Sequence, residues 1–134
     1  MAITLTVGAT TLALSDDLRW LDEAEWSPVE QSVERSITGA LIVQSAERTA
    51  GTGRPITLGP PDDASAWMAR RTLDQLMTWA STPGQVLALD LRGTVHSVVF
   101  RHHEAPALQA DPVVWYSDET ADDLYRITIK LMRV

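Results

Sequence analysis

Apolar and polar residues alternate in short runs along most of the chain. Ile3, Leu5 and Val7 alternate with Thr4 and Thr6, the two-residue period of a half-buried strand. Gly8, Ala9 and Thr10 supply a turn, and residues 11–14 the returning strand of a hairpin. Residues 35–45 read as a third strand, with Ile37, Leu41 and Val43 on one side, Ile42 on the other, and small Gly39 and Ala40 allowing close approach. Residues 46–53 form a loop. Residues 54–58 form a short strand, at a sheet edge or with Pro55 at its start, because Pro55 cannot donate to a ladder. Pairing of 35–45 with 54–58 across that loop predicts a long β-hairpin.

The period then changes. Ala66, Ala69, Leu73, Leu76, Met77 and Ala80 recur at helical spacing and predict one helix over residues 63–81. Asp62 and Asp63 are its N-cap candidates, Trp67 and Trp79 flank its buried stripe, and Thr82-Pro83-Gly84 stops it. Residues 85–91 and 94–101 form a hairpin around Arg92-Gly93, and residues 112–116 predict a further strand after a loop holding Pro106. Residues 117–123 read as an acidic turn. Tyr125, Ile127, Ile129 and Leu131 alternate with Arg126, Thr128 and Lys130 in a closing strand. The expected architecture is mainly β: an antiparallel β-sandwich or split barrel in a single domain, with one flanking helix.

Composition narrows the function. The 134 residues, 45% hydrophobic, suffice for one core. There is no cysteine, which removes disulfides and thiolate metal ligands and fits a reducing compartment. The first residues lack a basic, apolar leader, and no apolar run approaches the roughly 18 residues that span a bilayer. Net charge is −7, concentrated between residues 15 and 34, where seven acids meet the single base Arg19. No basic patch follows helical or strand spacing, so phosphate neutralisation of nucleic acid is not expected.

Candidate chemistry is thin. His102-His103-Glu104 is the one cluster with metal-ligand residue types, but adjacent side chains diverge and a zinc site wants four convergent ligands. His96 and Ser97 are neighbours on a strand and face opposite sides, so they are not a base and its nucleophile. No serine sits in a nucleophile elbow. Gly51-Thr52-Gly53-Arg54 lacks the lysine and the following helix of a phosphate loop. Neither an enzyme nor a cofactor is expected. Five tryptophans outnumber the single Phe100. Trp67 and Trp79 are read as core. Trp20 and Trp26, in the acidic segment with Leu18 and Leu21, are candidate interface anchors. Ile42, Gly51, Gly53 and Arg54 join them as candidate interface positions on the predicted hairpin.

The stretch Arg35-Ser36-Ile37-Thr38-Gly39-Ala40-Leu41-Ile42-Val43, the segment Gly53-Arg54-Pro55-Ile56-Thr57-Leu58, the helix with Trp67 and 73–79, the hairpin 85–100 and the closing strand 125–134 together resemble the distal tail and minor tail proteins of long, non-contractile-tailed bacteriophages. The lambda minor tail protein M belongs to that family. The likeness covers about three-quarters of the chain by organisation. It implies a tail-tube-like domain and a homo-oligomeric ring, expected as a hexamer, that joins tube to tip and encloses the DNA channel. It further implies tube, tape-measure and tip proteins as partners, a virion location after assembly in the host cytoplasm, and DNA passing without specific binding. An acidic bore would repel phosphates, so Asp16, Asp17, Asp22, Glu23 and Glu25, or the acids of residues 118–123, are the candidate lumen lining. Residues 41–57 are the candidate arm between subunits. The alternatives are a tube or tail-completion subunit, a small β-barrel binding an apolar ligand, or a hydrolase using His96, His102 or His103.

Overall fold

The computed structural model describes residues 3–48, 52–115, 118 and 120–134; Gly51 of the candidate interface, Glu119 of the candidate lumen lining, and Tyr116 and Ser117 lie outside them. Among the described residues, eleven strands and one α-helix follow one another as β1 (Ile3–Val7), β2 (Thr10–Leu14), β3 (Arg19–Trp20), β4 (Val29–Arg35), β5 (Leu41–Glu47), β6 (Pro55–Gly59), β7 (Trp67–Ala69), α1 (Arg70–Ala80), β8 (Leu87–Leu91), β9 (Thr94–Phe100), β10 (Leu108–Pro112) and β11 (Leu124–Arg133). All pairings are antiparallel. The main sheet runs β2-β1-β8-β9-β11-β6-β3, with β7 and β10 also on β11, and β4-β5 form a separate ribbon. This is the mainly β, antiparallel architecture with one flanking helix that the alternation predicts.

β11 organises the sheet. Leu58 of β6 and Leu108 of β10 both pair with Ile129, and Ile56 of β6 and Phe100 of β9 both pair with Leu131. Ladders therefore run along both of its edges. Its alternation explains why: Tyr125, Ile127, Ile129 and Leu131 are buried while Arg126, Thr128 and Lys130 lie half out. Leu5, Leu58, Leu89, Ile127, Ile129 and Leu131 have no exposed surface, and each such side chain contributes about 1.5–3 kcal/mol on burial. The expected hairpins β1-β2 and β8-β9 form with their turns at Gly8 and at Arg92-Gly93, where positive φ suits glycine.

Four elements depart from the sequence reading. The helix begins at Arg70, not 63, because Ala66 takes a positive φ and Trp67–Ala69 pair with β11. Asp62 caps no helix; its carboxylate accepts from Ala64 N in a local turn. The helix N-terminus is capped instead by the main chain: Arg70 N donates to Asp123 O and Arg71 N to Ala121 O. Its buried stripe is Leu73, Leu76 and Trp79, with Met77 outside and Trp67 exposed on β7 rather than in the core. The strand expected at 112–116 lies at Leu108–Pro112; Ala110 and Leu108 pack on the core while Val114 and Trp115 face out. Residues 35–45 are not one strand but a turn and its second strand. The expected 35–45/54–58 pairing is absent among the described residues, since β5 pairs with β4 and β6 pairs with β11 and β3. The long hairpin exists, built from residues 29–47 rather than 41–57.

Candidate functional site

β4 and β5 form a ribbon of seven pairs, Val29–Glu47 through Arg35–Leu41. At about 3.3 Å per residue it projects roughly 20–25 Å. Its turn is fixed by Ser36: Ser36 N donates to Ala40 O at 2.8 Å, Gly39 N to Ser36 O at 2.9 Å, and Ala40 N to Ser36 Oγ at 3.0 Å. Gly39 sits at φ +87, a conformation other residues rarely adopt. Every strand residue of the ribbon is exposed, and none joins the core.

The register sorts the ribbon into two unlike faces. Residues paired across antiparallel strands share a face, and faces alternate along each strand. Val29, Val33, Leu41 and Val43 fall on one face, with Gln31, Arg35, Ser45 and Glu47. Glu30, Ser32, Glu34 and Gln44 fall on the other, with Ile42 and Ala46. The candidate interface residue Ile42 is thus on the acidic face. Ile37 stands fully exposed at the tip. A two-stranded ribbon is at best marginally stable alone in water, and an open row of valines and leucine gains from being covered.

The base of the arm is clasped to the body. Arg48 N donates to Pro28 O at 2.6 Å, bringing the two ends together. The Arg54 guanidinium lies 4.4 Å from the Trp20 ring centroid and 5.5 Å from that of Trp26, and donates to Glu23 O at 2.9 Å. Trp20 Nε1 donates to Pro55 O at 3.3 Å. Gly53 N donates to Arg133 O, and Arg133 N to Arg54 O. Trp20, Trp26, Gly53 and Arg54 therefore come together, as contacts within the chain.

The acidic segment is pinned onto β6. Leu18 is buried, and Leu21 Cδ1 packs 2.9 Å from where a Cβ on Gly59 would stand, so a side chain there would push Leu21 aside. Asp22 Oδ1 accepts from Thr57 N at 3.0 Å and Asp22 Oδ2 from Thr57 Oγ1 at 2.9 Å. Arg101, nearly buried, reaches the same spot: it donates to Thr57 Oγ1, lies 4.0 Å from Asp22 Oδ2, and pairs with Glu104 at 3.0 Å. Asp22 thus faces inward, unlike the exposed Asp16, Asp17, Glu23 and Glu25. Asp118 and Asp122 are exposed as well, with Asp122 paired to Arg71. Neither β4 nor the Asp22–Thr57–Arg101 network is visible in the sequence, since β4 lacks strand alternation and the network joins positions remote along the chain.

The histidines do not converge. His96 is buried on the inner side of β9, edge-on to Trp20 at 5.9 Å, while Ser97 is exposed. Burial, then the charges of Arg133 and Arg54, hold its imidazole below the usual range. His102 and His103 are exposed on a single 3-10 turn. Among the described residues, no three His, Asp or Glu side chains are placed to hold a metal ion. No protein-family model, curated protein or solved structure matches the chain.

Proposed function

We propose that the chain is a structural subunit of a long, non-contractile phage tail, forming a ring at the distal end that joins tube to tip and surrounds the DNA path. The observation that carries this reading is the arm: a ribbon clasped at its base, held off the body, with Val29, Val33, Leu41 and Val43 exposed on one face where a neighbouring copy would cover them. A surface on one copy that engages a different surface on the next closes into a ring when the rotation permits. The β-rich body with a single helix accords with the family resemblance. The space between the packed strands is filled by leucine, isoleucine and valine side chains, which favours a packing subunit over a ligand-binding barrel. In the ring, the exposed Asp16, Asp17, Glu23 and Glu25 are the proposed lining of the bore, where carboxylates repel passing phosphates.

The test is excision of the arm. Because Pro28 O and Arg48 N already meet, residues 29–47 can be replaced by a tight turn with the body left folded. The expected product has an unchanged melting profile, remains a monomer, and is not incorporated into particles. Mass spectrometry of purified virions lacking the intact chain would refute the proposal.

A further inference from the structure

The arm has an apolar face, but the backbone also leaves edges, and these say where on the next copy it fits. Strands of soluble proteins usually guard an open edge by charge, proline or brevity. Most open edges here follow that rule. β10 carries Asp111 and Pro112, β4 carries Glu30, Glu34 and Arg35, and β3 and β7 have two and three residues. Two edges do not. β2, Thr10–Leu14, pairs only with β1 and has no charge and no proline. β5 pairs only with β4 and is uncharged from Leu41 to Ala46. One lies at the end of the main sheet and the other on the arm.

We propose that β5 of one copy pairs, edge to edge, with β2 of the next copy. This rests on the ring reading and names its contact. The two neutral runs are of similar length, five residues and six. In a chain of net charge −7, they are where copies approach with least repulsion. Each added ladder bond satisfies a main-chain group on both strands. The faces also agree. Leu12 and Leu14 of β2 point to the core side, and α1 packs against β2. Leu41 and Val43 share one face of the arm with Val29 and Val33. A register that sets Leu41 and Val43 beside Leu12 and Leu14 continues the inner apolar layer into the arm; a slip of one residue would turn Ile42 and Gln44 inward instead. Because β2 and β5 are different surfaces, the contact is head-to-tail, and a joined pair keeps one free β2 and one free β5 for further copies.

The absence of native cysteine makes the test direct. Chains carrying Thr11→Cys on β2 are mixed, under mild oxidation, with chains carrying Gln44→Cys on β5, or with chains carrying Ser45→Cys or Gln31→Cys, which lie on the other face of the arm. The expected result is a cross-linked dimer several-fold more abundant with Gln44→Cys than with Ser45→Cys or Gln31→Cys, and a ladder of multimers when Thr11→Cys and Gln44→Cys share one chain. Ala13→Lys, an exposed change that guards the β2 edge, is expected to abolish assembly with the melting temperature within about 2 °C of the parent. Copies that associate without a β2–β5 cross-link, or that assemble normally with Ala13→Lys, overturn the edge assignment and leave the ring reading standing. Absence of the chain from purified tails overturns both.

Discussion

Replacing Asp22 by alanine tests whether the acidic segment is fastened to the sheet or merely lies on the surface. The Asp22 carboxylate accepts two hydrogen bonds from Thr57, at 3.0 and 2.9 Å, and lies 4.0 Å from the nearly buried Arg101. A hydrogen bond to a charged group contributes about 1.5–3 kcal/mol. Two of them would be worth roughly 3–6 kcal/mol, but the side chain keeps 18% of its surface in water. Arg101 also retains Glu104 after the change. We therefore expect a loss near the bottom of that range, about 3 kcal/mol. For a domain of this size each kcal/mol shifts the midpoint by about 4 °C, so Asp22→Ala should melt roughly 12 °C lower. Asp22→Asn keeps an acceptor for Thr57 N and should lose less. Asp16→Ala and Asp17→Ala remove exposed carboxylates and should stay within about 0.5 kcal/mol. Combined with Arg101→Met, Asp22→Ala should cost less than the sum of the two single changes, by about 1 kcal/mol. Melting curves followed by tryptophan fluorescence and circular dichroism suffice. If Asp22→Ala melts with Asp16→Ala, the segment is not held through Thr57 and the account of the clasp fails.

Three further outcomes are expected. Ile129→Ala, at a fully buried position flanked by Leu58 and Leu108, should lower stability by about 3–4 kcal/mol, read as a lower urea midpoint at unchanged slope. Arg54→Ala removes the cation between Trp20 and Trp26; a loss of about 1–2 kcal/mol is expected, with faster amide exchange near Pro28 and Arg48, whereas unchanged exchange there would contradict an arm braced at its base. His96 is held below its ordinary value of 6.5 in the folded chain, so as pH falls through that value the unfolded chain takes up the proton first and stability drops. His96→Leu should remove this part of the loss, so that the gap between parent and variant widens in the variant's favour from about pH 8 to about pH 5; a constant gap would sink the argument.

Where the sequence pattern is periodic and the environment ordinary, the fold is legible. β1, β8, β9 and β11 bury one face each, and their alternation states it directly. The helix core at Leu73 and Leu76 is equally plain, but its start is not. Ala66 and Ala69 fit a helical stripe, while the positive φ at Ala66 and the pairing of Trp67–Ala69 with β11 depend on a strand far along the chain. The arm is the reverse case. Both of its faces meet solvent in the single copy, so no burial pattern marks β4, and the run Leu41-Ile42-Val43 draws the eye to one strand where a turn and two strands exist. Trp20, Trp26 and Arg54 stand out by residue type, and the structure joins them. Their shared task of bracing the arm needs Pro28 and Arg48 to be neighbours, which spacing alone does not say.

The central place of β11 has a consequence for biosynthesis. The strands it bridges, β6, β7, β9 and β10, all leave the ribosome before it does. Until residues 124–133 emerge, those strands wait with unfinished ladders, and closure over such long separations is slow. A translation product cut short upstream would carry the arm on an unfinished body. Stalled or truncated copies would thus be left for proteolysis by the order in which their own parts are made.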